Sequence, residues 1–386
     1  MNILLITETY LPFVAGVSTS TDSIALFMAN AGHTVTVISP KPVLPKPTVS
    51  KKGITFLHTP SIPDIVYAGK PMTVFPLGLG VIRKTLQKHH FNVVHIQEPG
   101  SLGICALYLS RKMKIPTVGA LHFTPEQVSR MIPGKPNWLI VPLMKTYIKY
   151  IYNQYNAIMV PTQTFADFLT SIGVSTPKTV VSNGVNTDQY YPKPLDINFR
   201  KRYGIAGDAF VCLFIGLLDK DKNVITLIEA LAYTSQNIRL LVAGVGKEET
   251  NLKKRAKELN ISHRVTWAGS VTEKEMIDLY HTANAFTILS PYEIQSIVTL
   301  QAIASGLPII AAHAGALPEL CRDGQNGFLV ETYDYQTVAE KVSFLASHPK
   351  ICHKFGRFSR RLSLAHHKPT VLKKLEDLYK SLSKRA

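Results

Sequence analysis

Residues 285–312 read AFTILSPYEIQSIVTLQAIASGLPIIAA, and this run decides the fold class. Ala285–Ser290 and Leu307–Ala312 are short, continuously apolar segments. Between them lies a loop holding Glu293, then a stretch with helical spacing that starts near Ser296. Strands that are apolar throughout, rather than alternating, are buried on both faces, as in a parallel sheet covered by helices. The stretch therefore reads as strand, helix, parallel strand.

The same unit recurs in both directions. FVCLFIG (210–216), IRLLVAG (238–244) and RVTWAG (264–269) precede it. Farther upstream stand ILLIT (3–7), TVTVIS (34–39), NVVHI (92–96), PTVGAL (116–121) and AIMV (157–160), with amphipathic segments between them, such as ICALYLSRKM. Strands alternating with helices predict a doubly wound α/β architecture. The register restarts near Phe210, and Pro192-Lys193-Pro194 forms a stiff punctuation before it. The expectation is two Rossmann-like domains. The first spans 1–190, with the helix in 366–386, apolar at Val371, Leu372, Leu375, Leu378 and Tyr379, packing back on it. The second spans 191–365. Ligands of such domains bind at the carboxyl ends of the strands, so a cleft between the two is the expected site.

The chain has 386 residues, 46% of them hydrophobic and 18% charged, an ordinary globular composition. Cys105, Cys212, Cys321 and Cys352 form no CxxC pair, which argues against a disulfide framework or zinc site and fits a reducing compartment. No signal peptide is read at the start. The apolar run Met72–Ile82 is broken by Pro76 and too short to span a bilayer. The formal net charge is +17. Basic residues outnumber acidic ones several-fold between Lys41 and Lys149, and the tail from Lys350 is basic too. Such a field attracts polyanions or an anionic membrane. No zinc-finger or RNP-type motif accompanies it, so nucleic acid is not expected as a partner. A nucleic-acid-binding α/β protein stays as a reading on charge alone.

Four segments fall at the expected strand ends. Gly16, before a helix, can bring backbone N–H groups to a phosphate. His122 follows the strand PTVGAL. Gly216 and Lys222 follow FVCLFIG, with Lys222 placed to meet a diphosphate. Asp219 and Asp221 form a D-x-D that reads as a solvated loop rather than a metal site. Gly244-Val-Gly246 is a GxG without the third glycine, a poor dinucleotide fingerprint. Glu293 sits where it can bond sugar hydroxyls, the backbone amides of Ser296, Ile297 and the residues to Thr299 can cap a phosphate, and Gln301 lies on the same helix.

On these residues the chain resembles the large retaining glycosyltransferase family 4, with the GT-B fold. Glu293 and Gln301 take the two acidic positions of that family's motif, followed by Ala302-Ile-Ala-Ser-Gly306-Leu-Pro308. Further landmarks are Gly32-His33, Val94-His95-x-Gln-x-Pro, Ser182-Asn-Gly-Val-Asn186, Gly315-Ala-Leu-Pro-Glu319 and Asp323-Gly-Gln-Asn-Gly327. The segments Gln97-Glu98-Pro-Gly and His122-Phe-Thr-Pro-Glu126 look most like the branch that glycosylates lipids.

The resemblance implies a nucleotide-sugar donor, UDP-glucose or another UDP- or GDP-sugar, with no metal or other cofactor required. Lys222, with the amides at the Ser296 helix start, would meet the diphosphate. Glu293 would hold sugar hydroxyls, His122 would contact the sugar, and Gln301 would stand near the ribose. Glu98 and Glu126 fall on the acceptor side. The implied acceptor is a membrane lipid such as diacylglycerol or a glycolipid, with the protein cytoplasmic and peripheral on the inner face of the cell membrane. The stretch Arg130–Tyr152, which mixes Lys and Arg with Trp138, Leu, Ile and Tyr, suits that surface. Departures from the family pattern are Gln301 for Glu, Leu217 for Arg, Ser296 for Gly and Ala15 for Gly. They support one alternative, a silent pseudo-glycosyltransferase that binds a membrane or partner.

Overall fold

The computed structural model describes residues 1–13, 16–42, 52–63, 71–130 and 136–384. It divides into two compact units, Met1–Asn183 with Pro369–Ala386, and Gly184–Lys368. Residues 184–190, grouped with the first domain on sequence, belong to the second unit. The reason is contact: the Tyr190 hydroxyl accepts from Gln301, and the Tyr190 carbonyl accepts from Arg360.

The first unit carries a seven-stranded sheet. From edge to edge its strands are Ile54–Thr59, Thr34–Pro40, Asn2–Ile6, Val93–Ile96, Thr117–Ala120, Ala157–Val160 and Lys178–Val180. Every neighbouring pair is parallel. The third strand in this order, Asn2–Ile6, is the first in sequence, so the strand order reverses beside it, as in a Rossmann sheet. One face packs Ile3, Leu5, Val35 and Val93 against Ile24, Ala25 and Met28 of helix Gly16–Asn30, and against Val371, Leu372, Leu375 and Tyr379 of the C-terminal helix Lys368–Ser383. Each such buried aliphatic side chain contributes about 1.5–3 kcal/mol.

The same helix is fastened electrostatically. The buried Glu376 carboxylate lies 2.6 Å from Lys373 Nζ, 2.5 Å from Lys380 Nζ and 3.0 Å from His33 Nε2. The lysine hydrogen bonds, Lys373 first and then Lys380, outweigh burial and draw its pKa down to about 2.

The second unit carries a six-stranded sheet in the order Val265–Gly269, Ile238–Ala243, Phe210–Ile215, Ala285–Ile288, Ile309–Ala312 and Gly327–Val330, again parallel throughout. The opening motif is thus two adjacent strands joined by helix Ile297–Ala304. Part of the basic composition is spent inside this unit. Arg200, 1% exposed, donates to the carbonyls of Thr282, Gly207 and Ala209 and to Asn284 Oδ1. Arg264 and Arg360 likewise tie loops through backbone carbonyls. These cations hold the fold together through neutral acceptors.

No helix among the described residues is long and apolar enough to cross a membrane. Within Arg130–Tyr152, residues 131–135 lie outside the described residues, and Asn137–Tyr152 is helical.

Candidate functional site

In the second unit the carboxyl ends of three strands converge on Lys222 and Glu293. After strand Phe210–Ile215 the chain turns at Gly216, whose N–H donates to Ala243 O at 3.0 Å. The neighbouring loop leaves no room here: a Cβ on Gly244 would lie 1.8 Å from Gly216 O. Gly244 therefore serves backbone-to-backbone packing, which accounts for the incomplete GxG pattern.

The chain then makes a single 3₁₀ turn, Lys220–Lys222, and enters helix Val224–Ala232 through Asn223 in the left-handed region at φ +52. Asparagine tolerates that conformation because its short amide bonds locally. Here the buried Asn223 amide donates to Leu289 O at 3.2 Å and accepts from Thr226 Oγ1 at 2.9 Å. This pins the Lys222 turn to the end of strand Ala285–Ile288.

Lys222 Nζ consequently reaches Glu293 Oε1 at 2.7 Å. Burial alone would lower the lysine's pKa, but Glu293, with Asp221 and Asp219 behind it, holds the ammonium above its ordinary value. The loop bearing Glu293 is clamped from the far side. Ala316 N donates to Glu293 O at 2.8 Å. Gly315 has φ +55, and a Cβ there would sit 2.5 Å from the same oxygen. The result is a charged pair, each side chain only partly exposed, at a fixed place at the carboxyl end of the sheet.

Ser296 caps helix Ile297–Ala304, its hydroxyl accepting from Thr299 N at 3.2 Å. This corrects one expectation. The Thr299 amide is already taken, so the first-turn donors open to an anion are those of Ile297 and Val298. Gln301 is likewise engaged. Its Nε2 donates to Tyr190 Oη and its Oε1 accepts from Tyr280 Oη, each at 3.0 Å. Both tyrosines are buried, their rings edge to face at 5.8 Å. Position 301 is thus a bridge between two tyrosines, and a ribose there would share it. Neither tyrosine was identifiable from sequence spacing. Leu217 is 57% exposed beside Gly216. Asp219 accepts from Lys247 N, and no metal-holding cluster of His, Cys, Asp or Glu occurs among the described residues.

In the first unit His122 stands at the carboxyl end of strand Thr117–Ala120. Its Nε2 is 3.1 Å from Gln97 Oε1. Gln97 is fully buried beside His95, and the His95 Nδ1 is 2.5 Å from the hydroxyl of Tyr379. Burial pushes the His122 pKa down to about 4; burial, helped by the neighbouring His122, pushes that of His95 to about 3. Both rings are neutral at physiological pH.

Glu98, expected on the acceptor side, is instead committed to the first loop. It accepts from Glu8 N at 2.8 Å, Thr9 N at 3.1 Å, Thr9 Oγ1 at 2.9 Å and Thr7 Oγ1 at 3.1 Å. Glu8 in turn accepts from the first-turn amides of Leu102 and Gly103 on helix Ser101–Lys112. Sequence reading passed over Glu8, whose only signal is an acid at the end of the first strand. Glu126 lies on the short helix Pro125–Arg130, closed at its start by reciprocal bonds between Thr124 and Gln127. Gly16 opens helix Gly16–Asn30 with free space around its Cβ position. Ala15 lies outside the described residues.

Comparison with known proteins agrees along the chain. Residues 14–189 match the model described as Glycosyltransferase Family 4, and residues 196–362 the model described as Glycosyl transferases group 1. An alpha-monoglucosyldiacylglycerol synthase of Acholeplasma laidlawii is 26% identical, covering 99% of this chain and 97% of its own. A GDP-mannose-dependent alpha-mannosyltransferase of Mycobacterium tuberculosis is 24% identical, covering 99% and 97%. Among solved structures, a sucrose-phosphate synthase from Thermosynechococcus elongatus superposes with a TM-score of 0.84 at 18% identity, covering 100% of both chains. At that identity the likeness speaks for the fold alone.

Proposed function

The chain belongs to the glycosyltransferases, a Family 4 domain followed by a group 1 domain, and from that membership we propose that it transfers a hexose from a UDP- or GDP-sugar to a hydroxyl of a membrane lipid, with retention at the anomeric carbon. The single observation that carries this is the Lys222–Glu293 pair at 2.7 Å, built at the strand ends where such folds bind ligands.

A diphosphate leaving group gains negative charge as the bond from the anomeric carbon to its oxygen breaks. Lys222 and the first-turn amides of Ile297 and Val298 are preorganised donors for that charge. Glu293 bonds hydroxyls of the transferred sugar. The acceptor oxygen forms the new bond on the face the phosphate leaves, and its proton passes to the departing phosphate oxygen. No step uses a metal.

The lipid acceptor is supported by two relatives that are alpha-monoglucosyldiacylglycerol synthases, one matched over 97% of its length and the other over 75%. It is supported also by helix Asn137–Tyr152. This helix buries Ile140, Ile148, Ile151 and Tyr152 and turns Trp138, Leu139, Leu143 and Tyr150 outward, with Lys149 exposed among them. Trp138 is 76% exposed. Outward aromatic and aliphatic side chains with basic ones suit peripheral contact with an anionic leaflet.

The test is transfer from radiolabelled UDP-glucose or GDP-mannose to diacylglycerol in anionic vesicles, with the product's anomeric configuration determined. An α-linked glycolipid is expected. Failure with every nucleotide-sugar in a folded protein, or full activity in both Lys222→Ala and Glu293→Gln, would overturn the assignment.

A further inference from the structure

The second unit holds another charged cleft, at the end of its sheet opposite Lys222 and Glu293. Phe210 and Ile238 begin their strands there, and Asn284 and Pro308 stand just before theirs. These residues line a cavity of about 1420 Å³, walled on one side by helix Pro349–Leu364. Strand Phe210–Ile215, six residues and so about 20 Å long, separates this cleft from the Lys222 end.

Three backbones meet at its wall. A Cβ on Gly306 would lie 2.8 Å from Pro192 Cγ, and one on Gly356 would lie 2.3 Å from Gly306 O. Ser359 Oγ donates to Leu307 O at 2.7 Å, and Arg360 donates to Ala304 O at 3.1 Å. The helix is thereby fixed against the Gly306 turn. Its exposed Lys354, Arg357 and Arg361 follow one another at helical spacing, so they form one stripe, and all three line the cleft. Lys193, next to Pro192, lines it from another segment. The helix carries no acidic residue, and Asp208 is the only acidic residue in the lining among the described residues. Among those residues none of the four cationic head groups enters a hydrogen bond or ion pair; Lys193 and Arg361 lie over the rings of Tyr191 and Phe358. Arg360 differs, because its guanidinium is spent on backbone carbonyls.

We infer that this cleft is a second ligand site, separate from the donor site, and that it takes a phosphate monoester. Like charges held side by side repel, and a bound dianion relieves that repulsion. A guanidinium fork bonds two phosphate oxygens at once, and Arg357 and Arg361 offer two such forks one helical turn apart. Phe210, Ile238, Leu307 and Leu345 give the cleft apolar surface to cover the organic body that carries the phosphate. The cleft is concave, so a flat bilayer does not reach that surface, whereas a soluble ester or a single lipid phosphate does.

The experiment is isothermal titration calorimetry on the full chain at low ionic strength, with glucose 6-phosphate and, separately, monomeric dihexanoyl phosphatidic acid. At least one should bind, more weakly as salt is added, and the tighter of the two identifies the source of the phosphate. Arg357→Ala with Arg361→Ala should weaken binding roughly tenfold or more, the loss expected for charge-assisted hydrogen bonds. Both side chains are exposed, so circular dichroism should show an intact fold. Asp208→Asn should tighten binding severalfold. Lys222→Ala, which alters the other end of the sheet, should leave it unchanged. Binding of neither ester by folded wild type overturns the inference, and so does a double arginine variant that binds as tightly as wild type. Loss of binding in Lys222→Ala also overturns it, by assigning the phosphate to the donor site. A chain that uses Arg357 and Arg361 to bind anionic vesicles, but binds neither ester, makes the stripe a membrane contact and overturns it as well.

Discussion

Lys222 and Glu293 lie on different loops of one sheet yet meet at 2.7 Å, with side chains 24% and 12% exposed. The pair is made before any ligand arrives. A diphosphate must therefore compete with Glu293 for the ammonium, and a sugar hydroxyl must compete with Lys222 for the carboxylate. Each charge keeps the other in place and supplies part of its solvation. Lys222→Ala is expected to lower kcat about 10²- to 10³-fold, the usual loss on removing one preorganised donor from a charged transition state. Glu293→Gln should cost a similar factor, and the double variant should cost much less than the product of the two, because the residues act as a unit. Steady-state kinetics on the four proteins measure this coupling. Simple multiplicativity would show that the pair is incidental.

Gly315 tests the clamp on Glu293 without touching either charge. Its φ of +55 disfavours other residues, and a Cβ there would come 2.5 Å from Glu293 O. Gly315→Ala should therefore displace the Glu293 loop at a cost of about 1–3 kcal/mol. Activity should fall at least tenfold while the far-UV circular dichroism spectrum stays unchanged. A variant with native kcat would show that the loop's position is set elsewhere.

The acid limb of stability is expected to depend on Glu376. Its folded pKa of about 2 lies below the usual carboxylate value, held down first by Lys373 and then by Lys380. A depressed carboxylate pKa contributes stability that is complete above the unfolded value and lost as pH falls through the folded one. The contribution should therefore be whole at neutral pH and fade between about 4.3 and 2. Glu376→Gln should lower the melting temperature at pH 7 and flatten its fall across that interval. Melting curves taken at stepped pH check both. An equal loss at every pH would assign the effect to packing.

The strands buried on both faces were legible because continuous apolar runs such as Phe210–Ile215 leave no other reading. The edge strands of the first unit's sheet were not. Ile54–Thr59 is half-exposed and mixes Thr and His into its run, and Lys178–Val180 has only three residues. Glu293 and Lys222 could be found because strand ends and loop acids are local signals. The partners of Gln301, Glu98 and His95 could not. Tyr190, Thr7 and Tyr379 lie far from them in sequence and are brought near only by the folded sheets. A sequence shows which side chains are able to bond but not which of their bonds are already spent, and so Gln301 and Glu98 read as free when they are engaged.

Gln301 offers the sharpest test of that last point. Its Nε2 donates to Tyr190 Oη, which makes Tyr190 an acceptor here, while Tyr280 has Val298 O as a second acceptor at 2.9 Å. Gln301→Leu should leave Tyr190 without its donor and destabilise the second unit by about 1–3 kcal/mol, whereas Tyr280 keeps a partner. Gln301→Glu behaves differently. Both hydroxyls rotate to donate to the carboxylate, so stability should change by less than about 1 kcal/mol. The carboxylate retains lone pairs for ribose hydroxyls and makes charge-assisted bonds, roughly twice as strong as an amide's. Such a bond acts on the bound donor and the transition state alike. KM for the nucleotide-sugar should therefore fall severalfold with kcat nearly constant. Thermal melts and donor titrations separate the two variants. A Gln301→Glu protein whose KM is unchanged would show that position 301 serves the tyrosines and has no part in donor binding.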